Sequence, residues 1–132
     1  MDEKETDPLD EIFVESNKES SIKLIAEILK PLLTIDPRGN LDFSKKYDEL
    51  TNMKKALVYL VAKKAMKIKE IVDSEFAVLK EVEEKSLISS SDAKNAFCTH
   101  YKKLVENKRG EGYNIPNWKL KKVKEEIFKN GK

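Results

Sequence analysis

The chain has 132 residues, of which 38% are charged, and its formal net charge at pH 7 is +2. This length is that of one domain with its own core. A lone Cys98 excludes an internal disulfide, and no apolar run reaches the ~20 residues that span a bilayer. We therefore expect a cytoplasmic protein with no membrane partner. Abundant Lys and Glu with no Gln is a bias typical of thermophiles.

The charges are sorted along the chain, although they nearly cancel overall. Residues 1–20, 21–92 and 93–132 carry net charges of −6, +1 and +7. Lys and Arg side chains that approach phosphates release condensed counterions, which favours the binding of polyanions. The basic C-terminal third is therefore a candidate nucleic-acid-binding region.

Residues 1–18 form an acidic tail that we predict to be disordered, because it has few apolar groups and many like charges. The domain then comprises residues 19–132. Two interpretations of the tail are open: it docks weakly on its own domain, or residues 7–15 fold into the groove of a protein partner. Both depend on four apolar residues with helical spacing, namely Leu9, Ile12, Phe13 and Val14.

The first helix is predicted to begin at Ser20 or Ser21, either of which can cap it. Pro31 should end or kink this helix, because proline lacks the backbone donor. The sequence Asp36-Pro37-Arg38-Gly39 then has the composition of a type I turn. Short extended arms around it predict a small β-hairpin at residues 34–43, which must lean on helices because an isolated hairpin is marginal.

Residues 40–109 contain neither Gly nor Pro, which predicts that helices dominate this stretch. Thr51 is the predicted cap of a helix whose centre, residues 56–62, is apolar on every side. A helix of this kind is buried all round, so it is the predicted core. Four lysines are expected to bring its end to the surface: Lys63, Lys64, Lys67 and Lys69.

Two interpretations are open after the lysines: Asp73-Ser74 restarts a helix, or the core helix runs on. In both, an amphipathic stripe predicts helix from Val72 to about Lys85 through Phe76, Leu79 and Val82. Residues 89–92 are Ser-Ser-Ser-Asp, which predicts a break and a new N-cap. The helix that follows has an apolar face of Ala93, Phe97, Tyr101 and Leu104. Its other face carries Asn95, Thr99, Lys102 and Glu106.

Residues 108–117 are predicted to form a loop, after which Pro116 and Asn117 open the last helix. On a helical wheel, Trp118 lies opposite the buried stripe of this helix, which is Leu120, Val123 and Ile127. An exposed Trp among lysines is typical of a surface on which bases stack. In the alternative interpretation, the indole ring packs back on the preceding loop or on Phe128.

We therefore predict a nucleic-acid-binding surface built from this loop and its two flanking helices. Its lysines and arginine would contact phosphates, and the backbone amides at the start of the last helix would add donors. An ordinary surface loop is the alternative, because the spacing is not that of a P-loop. The predicted contact residues are Lys102, Lys103, Lys108, Arg109, Tyr113, Asn117, Trp118, Lys119, Lys121, Lys122 and Lys129.

The sequence offers little for catalysis. Cys98 and His100 are two residues apart on a helix, so their side chains do not face each other. The single His lacks partners for a metal site, and the paired glutamates are most simply solvated helix faces. We expect a non-enzymatic protein with no catalytic residue, no metal and no cofactor.

The stretch from Thr51 to Gly131 resembles the helix-turn-helix and winged-helix DNA-binding domains of archaea. The resemblance rests on an apolar first helix, a Ser-capped second helix and a basic last helix. It implies that the last helix enters the major groove. Two features depart from the pattern: the connection before that helix has about ten residues, and a wing would begin only at Lys132. The residues that carry the resemblance are Leu57, Leu60, Val61, Ser91, Ala93, Phe97, Tyr101, Asn130 and Gly131.

The predicted fold is mainly α, a compact bundle of about five helices with one small hairpin. The predicted function is non-catalytic binding of nucleic acid, DNA rather than RNA, through the basic C-terminal helices. The chain would serve as a module of a replication or other nucleic-acid machine. In the alternative, it is a protein–protein adaptor that engages its partner through the acidic-apolar N-terminal segment, and the lysines only keep it soluble.

Overall fold

The structure, a computed structural model, describes residues 18–129, and the predicted acidic tail lies outside them except for Lys18. The prediction of a mainly α fold is confirmed, with six α-helices and two antiparallel hairpins in the described residues. In chain order the elements are α1 (Lys18–Leu29), β1 (Leu33–Ile35), β2 (Leu41–Phe43), α2 (Lys45–Asp48), α3 (Asn52–Ile68), α4 (Leu79–Ser86), α5 (Ser90–Asn95), β3 (Glu106–Lys108), β4 (Gly112–Asn114) and α6 (Leu120–Ile127).

The hairpin predicted at residues 34–43 is confirmed as the antiparallel pair β1–β2. Its turn closes through the N–H of Gly39, which donates to the carbonyl of Asp36 at 2.9 Å. The Asp36 carboxylate accepts two further backbone N–H groups, from Arg38 and Asn40, both at 2.9 Å. The hairpin leans on its neighbours, as a marginal two-stranded unit must.

Helix α3 is the centre of the fold, and α1, α4, α5 and α6 all pack against it. The prediction of a helix buried on every side is confirmed, because each residue from 56 to 62 is buried. Thr51 caps the helix as predicted, accepting the N–H of Lys54 at 3.2 Å. The side chain of Leu60 has no exposed surface.

The prediction that the lysines after residue 62 all reach the surface is wrong for Lys63 and Lys64, which are buried. The ammonium group of Lys63 pairs with Glu81 at 2.5 Å, and that of Lys64 pairs with Glu75 at 3.2 Å. A buried charge is tolerated when it is paired and hydrogen-bonded. These ion pairs connect α3 to the segment 75–81, which is distant in sequence and therefore invisible to a local pattern.

The predicted helix from Val72 to Lys85 is also wrong in its first half. Helix α3 ends at Ile68, α4 begins only at Leu79, and Glu70 lies in the left-handed region at φ +61°. The left-handed Glu70 interrupts the helix just after α3 ends, and Ala77 bonds to the second hairpin instead of to a helical neighbour. Its N–H and carbonyl pair with the backbone of Tyr113 at 2.9 and 2.8 Å.

The predicted loop at residues 108–117 contains more structure than expected. Its first half belongs to the antiparallel hairpin β3–β4, and it ends in a 3-10 turn, Asn117–Lys119, that precedes α6. No helix between residues 18 and 129 has the length and apolar character needed to cross a bilayer.

Candidate nucleic-acid interface

Helices α4 and α5 are joined by only three residues, 87–89. Leu87 ends α4 in the left-handed conformation, at φ +63°. The next residue, Ile88, is buried, and its N–H donates to the carbonyl of Glu83 at 3.2 Å. Ser89 then caps α5 by accepting the N–H of Asp92 at 3.2 Å, which confirms the predicted break and N-cap. A connection this short occurs both in αα-hairpins and in helix-turn-helix units.

Helix α5 does not stop at Asn95. It continues as a π-helical turn, Ala96–His100, and then a 3-10 turn, Lys102–Leu104. We call residues 90–104 the α5 segment. Its buried face is the predicted one, with Ala96 added: Ala93, Ala96, Phe97, Tyr101 and Leu104. Its exposed face consists of Ser90, Ser91, Lys94, Asn95, Cys98, Thr99, His100, Lys102 and Lys103.

The α5 segment contains one π-helical turn. The N–H of Tyr101 donates to the carbonyl of Ala96, five residues earlier, at 2.7 Å. Turns of this type occur frequently at functional sites. Phe97 and Tyr101, four residues apart, both face the core across this turn, and Cys98 and Thr99 are exposed.

The β3–β4 hairpin is fixed against the α5 segment mainly by Tyr113. The Tyr113 ring packs on Phe97 with 5.0 Å between centroids, and its hydroxyl lies 3.5 Å from the Cys98 sulfur. This contact with Cys98, together with partial burial, raises the pKa of Tyr113. Tyr113 was predicted to contact nucleic acid, but in the structure its ring and backbone are engaged in internal contacts.

A partly buried polar cluster connects the same hairpin to the core. The carboxylate of Glu75 accepts the side-chain amide of Asn114 on β4 and the ammonium group of Lys64 on α3. Asn114 and Lys64 are both buried. The cluster therefore joins three parts of the chain and sets the position of the hairpin relative to α3.

The tip of the hairpin carries two of the predicted cations. The ammonium group of Lys108 lies 5.7 Å from the centroid of the Phe76 ring and 3.3 Å from the Glu111 carboxylate. Both charged groups are largely exposed, so this ion pair is weak. Arg109 is also exposed. The tip thus offers two exposed cations, and Glu111 partly neutralises the charge of Lys108.

A groove of about 440 Å³ lies between the α5 segment and α6. It brings together three predicted contact residues that are separated in sequence: Lys102, Lys103 and Lys122. Apolar surface from Tyr101 and Leu104 also lines it. We call this site the basic groove; it is lined by Thr99, His100, Tyr101, Lys102, Lys103, Leu104, Lys122 and Glu126.

The remaining predicted residues of the last helix are not in this groove. Lys121 lies on the opposite flank of α6, beside Leu24 and Glu27 of α1. Lys129 lies near the start of α3, where its carbonyl accepts the ammonium group of Lys54 at 3.0 Å. The basic face predicted from the wheel is therefore divided between different surfaces of the protein.

Trp118 is 55% exposed, in agreement with its position opposite the buried stripe on the helical wheel. Trp118 belongs to the 3-10 turn with Asn117 and Lys119, both half-buried, and α6 starts one residue later at Leu120. The buried stripe of α6 is the predicted one, Leu120, Val123 and Ile127.

Three exposed residues of the α5 segment, Lys94, Asn95 and Thr99, were not among the predicted contacts. The signal for them was present, because Asn95 and Thr99 fall opposite the apolar face in the helical pattern. The density of positive charge is higher in the last helix, and it favoured that helix over the α5 segment.

The described residues contain no group of three side chains that could hold a metal ion. Cys98 and His100 are both exposed on the α5 segment. No protein-family model, curated protein or solved structure significantly matches this chain. The arrangement of α4, α5 and the β3–β4 hairpin is thus the main guide to function.

Proposed function

We propose that this protein is a non-catalytic DNA-binding module that contacts duplex DNA through the α5 segment, the basic groove and the β3–β4 hairpin. The observation that carries the proposal is the three-residue connection between α4 and α5, which leaves the polar face of the second helix exposed. In helix-turn-helix proteins the second helix lies in the major groove. This choice of helix differs from the sequence-based hypothesis, which assigned that role to the last helix.

The exposed residues of α5 have the chemistry that reads base edges. Asn side chains form paired hydrogen bonds with adenine, Lys side chains reach guanine O6 and N7, and Thr contacts several bases. Asn95, Lys94 and Thr99 supply these three groups on one exposed face. Because the apolar residues on the opposite face of the α5 segment pack into the core, the face with Asn95 is directed toward the solvent.

The cations around α5 suit contact with the phosphate backbone. Lys102, Lys103 and Lys122 converge in the basic groove, and Lys108 and Arg109 lie at the hairpin tip. Contacts to phosphate position a protein on the duplex, whereas contacts to bases provide specificity. An exposed helix favours DNA over duplex RNA, because the deep, narrow major groove of A-form RNA excludes side chains.

Two adjacent lysines provide a matched test. Lys122 lines the basic groove, whereas Lys121 lies on the opposite flank of α6. We expect Lys122→Ala to weaken duplex binding and to lower the slope of log affinity against log salt by about one unit, since one phosphate contact is lost. Lys121→Ala removes the same charge and should have a smaller effect. Fluorescence anisotropy titrations at several salt concentrations measure both quantities, and equal effects would argue against the groove.

A second variant tests base readout. We expect Asn95→Ala to reduce the preference for a selected sequence over random duplex by ~1–3 kcal/mol. Its salt dependence should stay the same, because no phosphate contact is removed. Uniform weakening on every sequence would instead make Asn95 a backbone contact.

We also propose that the protein is cytoplasmic and that it acts within a replication or other nucleic-acid machine. The adaptor hypothesis, in which residues 7–15 engage a protein partner, predicts a different result in the same titrations. Affinity for oligonucleotides would then be weak in all variants, and no salt-dependent difference would separate Lys122→Ala from Lys121→Ala.

A further inference from the structure

We infer that the acidic N-terminal segment of this chain, residues 2–15, binds the basic groove and competes there with DNA. This inference rests on the proposed function, because the competition regulates the same site. When DNA is absent, the acidic segment occupies the groove. The separation of acidic and basic residues along the chain then serves the contact between this segment and the groove.

The charges of the two partners are complementary. Residues 2–15 contain seven acids and one lysine, a net charge of −6. The basic groove contains three lysines and one glutamate. Opposite charges attract over about 8–10 Å at physiological salt. The same lysines cannot contact the segment and a DNA phosphate at once, so binding of one partner opposes binding of the other.

The apolar groups are also complementary. The segment carries Leu9, Ile12, Phe13 and Val14 between its acids. The basic groove exposes apolar surface of Tyr101 and Leu104 between its lysines. An acidic peptide with an apolar stripe fits a groove with an apolar floor and a basic rim.

The other grooves on the protein suit the segment less well. The groove between α1 and α6 contains two lysines and two glutamates, and its Lys124 already pairs with Glu27 at 2.7 Å. The groove beside β2 contains Asp42 and Glu84 with a single lysine. A groove at the start of α3 contains three lysines and one glutamate, the same balance as the basic groove. Two of its lysines are already engaged, because Lys54 donates to the carbonyl of Lys129 at 3.0 Å and the Lys129 ammonium group lies 3.6 Å from Glu126.

The connection to α1 allows this contact. Helix α1 begins at Lys18 and packs on α6, whose far flank borders the groove. A path along the 12 residues of α1 and across one helix diameter is roughly 28 Å long. Residues 9–14 lie four to nine positions before Lys18, and an extended chain of that length spans roughly 13–30 Å. A tether of this kind gives an effective concentration in the millimolar range, so weak contacts suffice.

The test uses the full chain and two sets of isosteric substitutions. The tail variant carries Asp7→Asn, Asp10→Asn, Glu11→Gln and Glu15→Gln. The matched control makes the same change in net charge at four exposed acids outside the groove, with Asp42→Asn, Asp48→Asn, Glu49→Gln and Glu84→Gln. Any difference in behaviour between the two variants therefore reflects where the substituted acids lie and not the change in total charge.

The first measurement needs no DNA. We expect the backbone amide chemical shifts of Thr99, Lys102 and Lys103 to change in the tail variant and not in the control, and the shifts of the parent to stay constant on dilution. Unchanged amides would overturn the inference whatever happens with DNA. Shifts that depend on protein concentration would also overturn it, since the segment would then bind a second copy.

The second measurement titrates a duplex oligonucleotide at low and high salt. If the segment occupies the groove most of the time, the tail variant should bind DNA roughly five- to tenfold more tightly at low salt. The control should gain less, and the gain should shrink as salt screens the contact. If the amides shift but neither protein binds DNA, the docking stands as a contact and the DNA-binding proposal fails. If the amides shift and DNA affinity does not rise, the competition is refuted.

Discussion

Two glycines in the second hairpin give the sharpest test of how that hairpin is attached. Gly110 and Gly112 both have positive φ, at +83° and +115°. A Cβ added to Gly110 would meet no heavy atom within 4 Å. A Cβ added to Gly112 would collide with the carbonyl group of Ala77, which pairs with Tyr113. The same substitution therefore probes backbone strain alone at one site, and strain plus a steric clash at the other.

The expected magnitudes follow from these contacts. Alanine at a positive φ costs about 1–2 kcal/mol, and part of this is offset because alanine restricts the unfolded chain. We expect Gly110→Ala to lower the free energy of unfolding by about 1 kcal/mol. Gly112→Ala must also separate Ala77 from Tyr113 and break two backbone hydrogen bonds of ~1 kcal/mol each. Its total loss should be about 3 kcal/mol.

Urea denaturation followed by circular dichroism measures both losses. The difference of about 2 kcal/mol corresponds to a melting temperature roughly 8 °C lower for Gly112→Ala than for Gly110→Ala. Equal losses in the two variants would refute the close approach of β4 to Ala77. If the hairpin also contributes to DNA binding, Gly112→Ala should bind the duplex more weakly at temperatures where it is still folded.

Three further predictions concern the core, the exposed Trp and pH. Leu60→Asp should abolish cooperative unfolding, because it places an unpaired charge at a fully buried position; a melt like that of the parent would contradict this. Trp118→Ala should change the free energy of unfolding by less than ~1 kcal/mol yet weaken single-strand binding by ~1–3 kcal/mol with the salt slope unchanged; lost stability with normal binding would contradict the stacking hypothesis. The pKa of Asp36 is lowered mainly by the backbone N–H of Asn40, so its carboxylate stabilises the fold above pH ~4 and loses this effect as pH falls. Asp36→Asn should therefore flatten the pH dependence of unfolding below pH ~4 in urea titrations, and an unchanged profile would contradict this role.

The sequence predicted the elements that depend on local rules. The turn at Asp36, the caps at Thr51 and Ser89, and the buried centre of α3 all follow from residues close together in the chain. The errors arose where distant residues decide. Lys63 and Lys64 are buried because Glu81 and Glu75 pair with them across the fold. Residues 69–78 are not helical, and the backbone of Ala77 in this stretch bonds to β4.

The candidate site shows the same division. The basic character of the C-terminal third can be counted from the sequence, and the exposure of Trp118 follows from the helical wheel. The sequence does not show which of these lysines lie on the same surface. Lys121 and Lys122 are neighbours in sequence and lie on opposite flanks of α6, whereas Lys102 and Lys122 lie in one groove.

This difference changes how the charge of the chain should be interpreted. A net charge of +7 over residues 93–132 suggests one strong polyanion site, but the structure distributes these cations over at least two flanks of α6 and the hairpin tip. A few phosphate contacts on one surface give only moderate affinity with a modest salt slope. Useful specificity must then come from base contacts, and the exposed polar face of α5 is the surface that can supply them. An acidic segment that occupies the groove most of the time lowers the apparent affinity by a factor set by its own occupancy, and at moderate affinity this factor leaves much of the protein free of DNA. Weak electrostatics, a polar reading helix and a self-competing tail are therefore mutually consistent, and a complex with DNA whose affinity does not change with salt would contradict both the phosphate contacts and the competition by the tail.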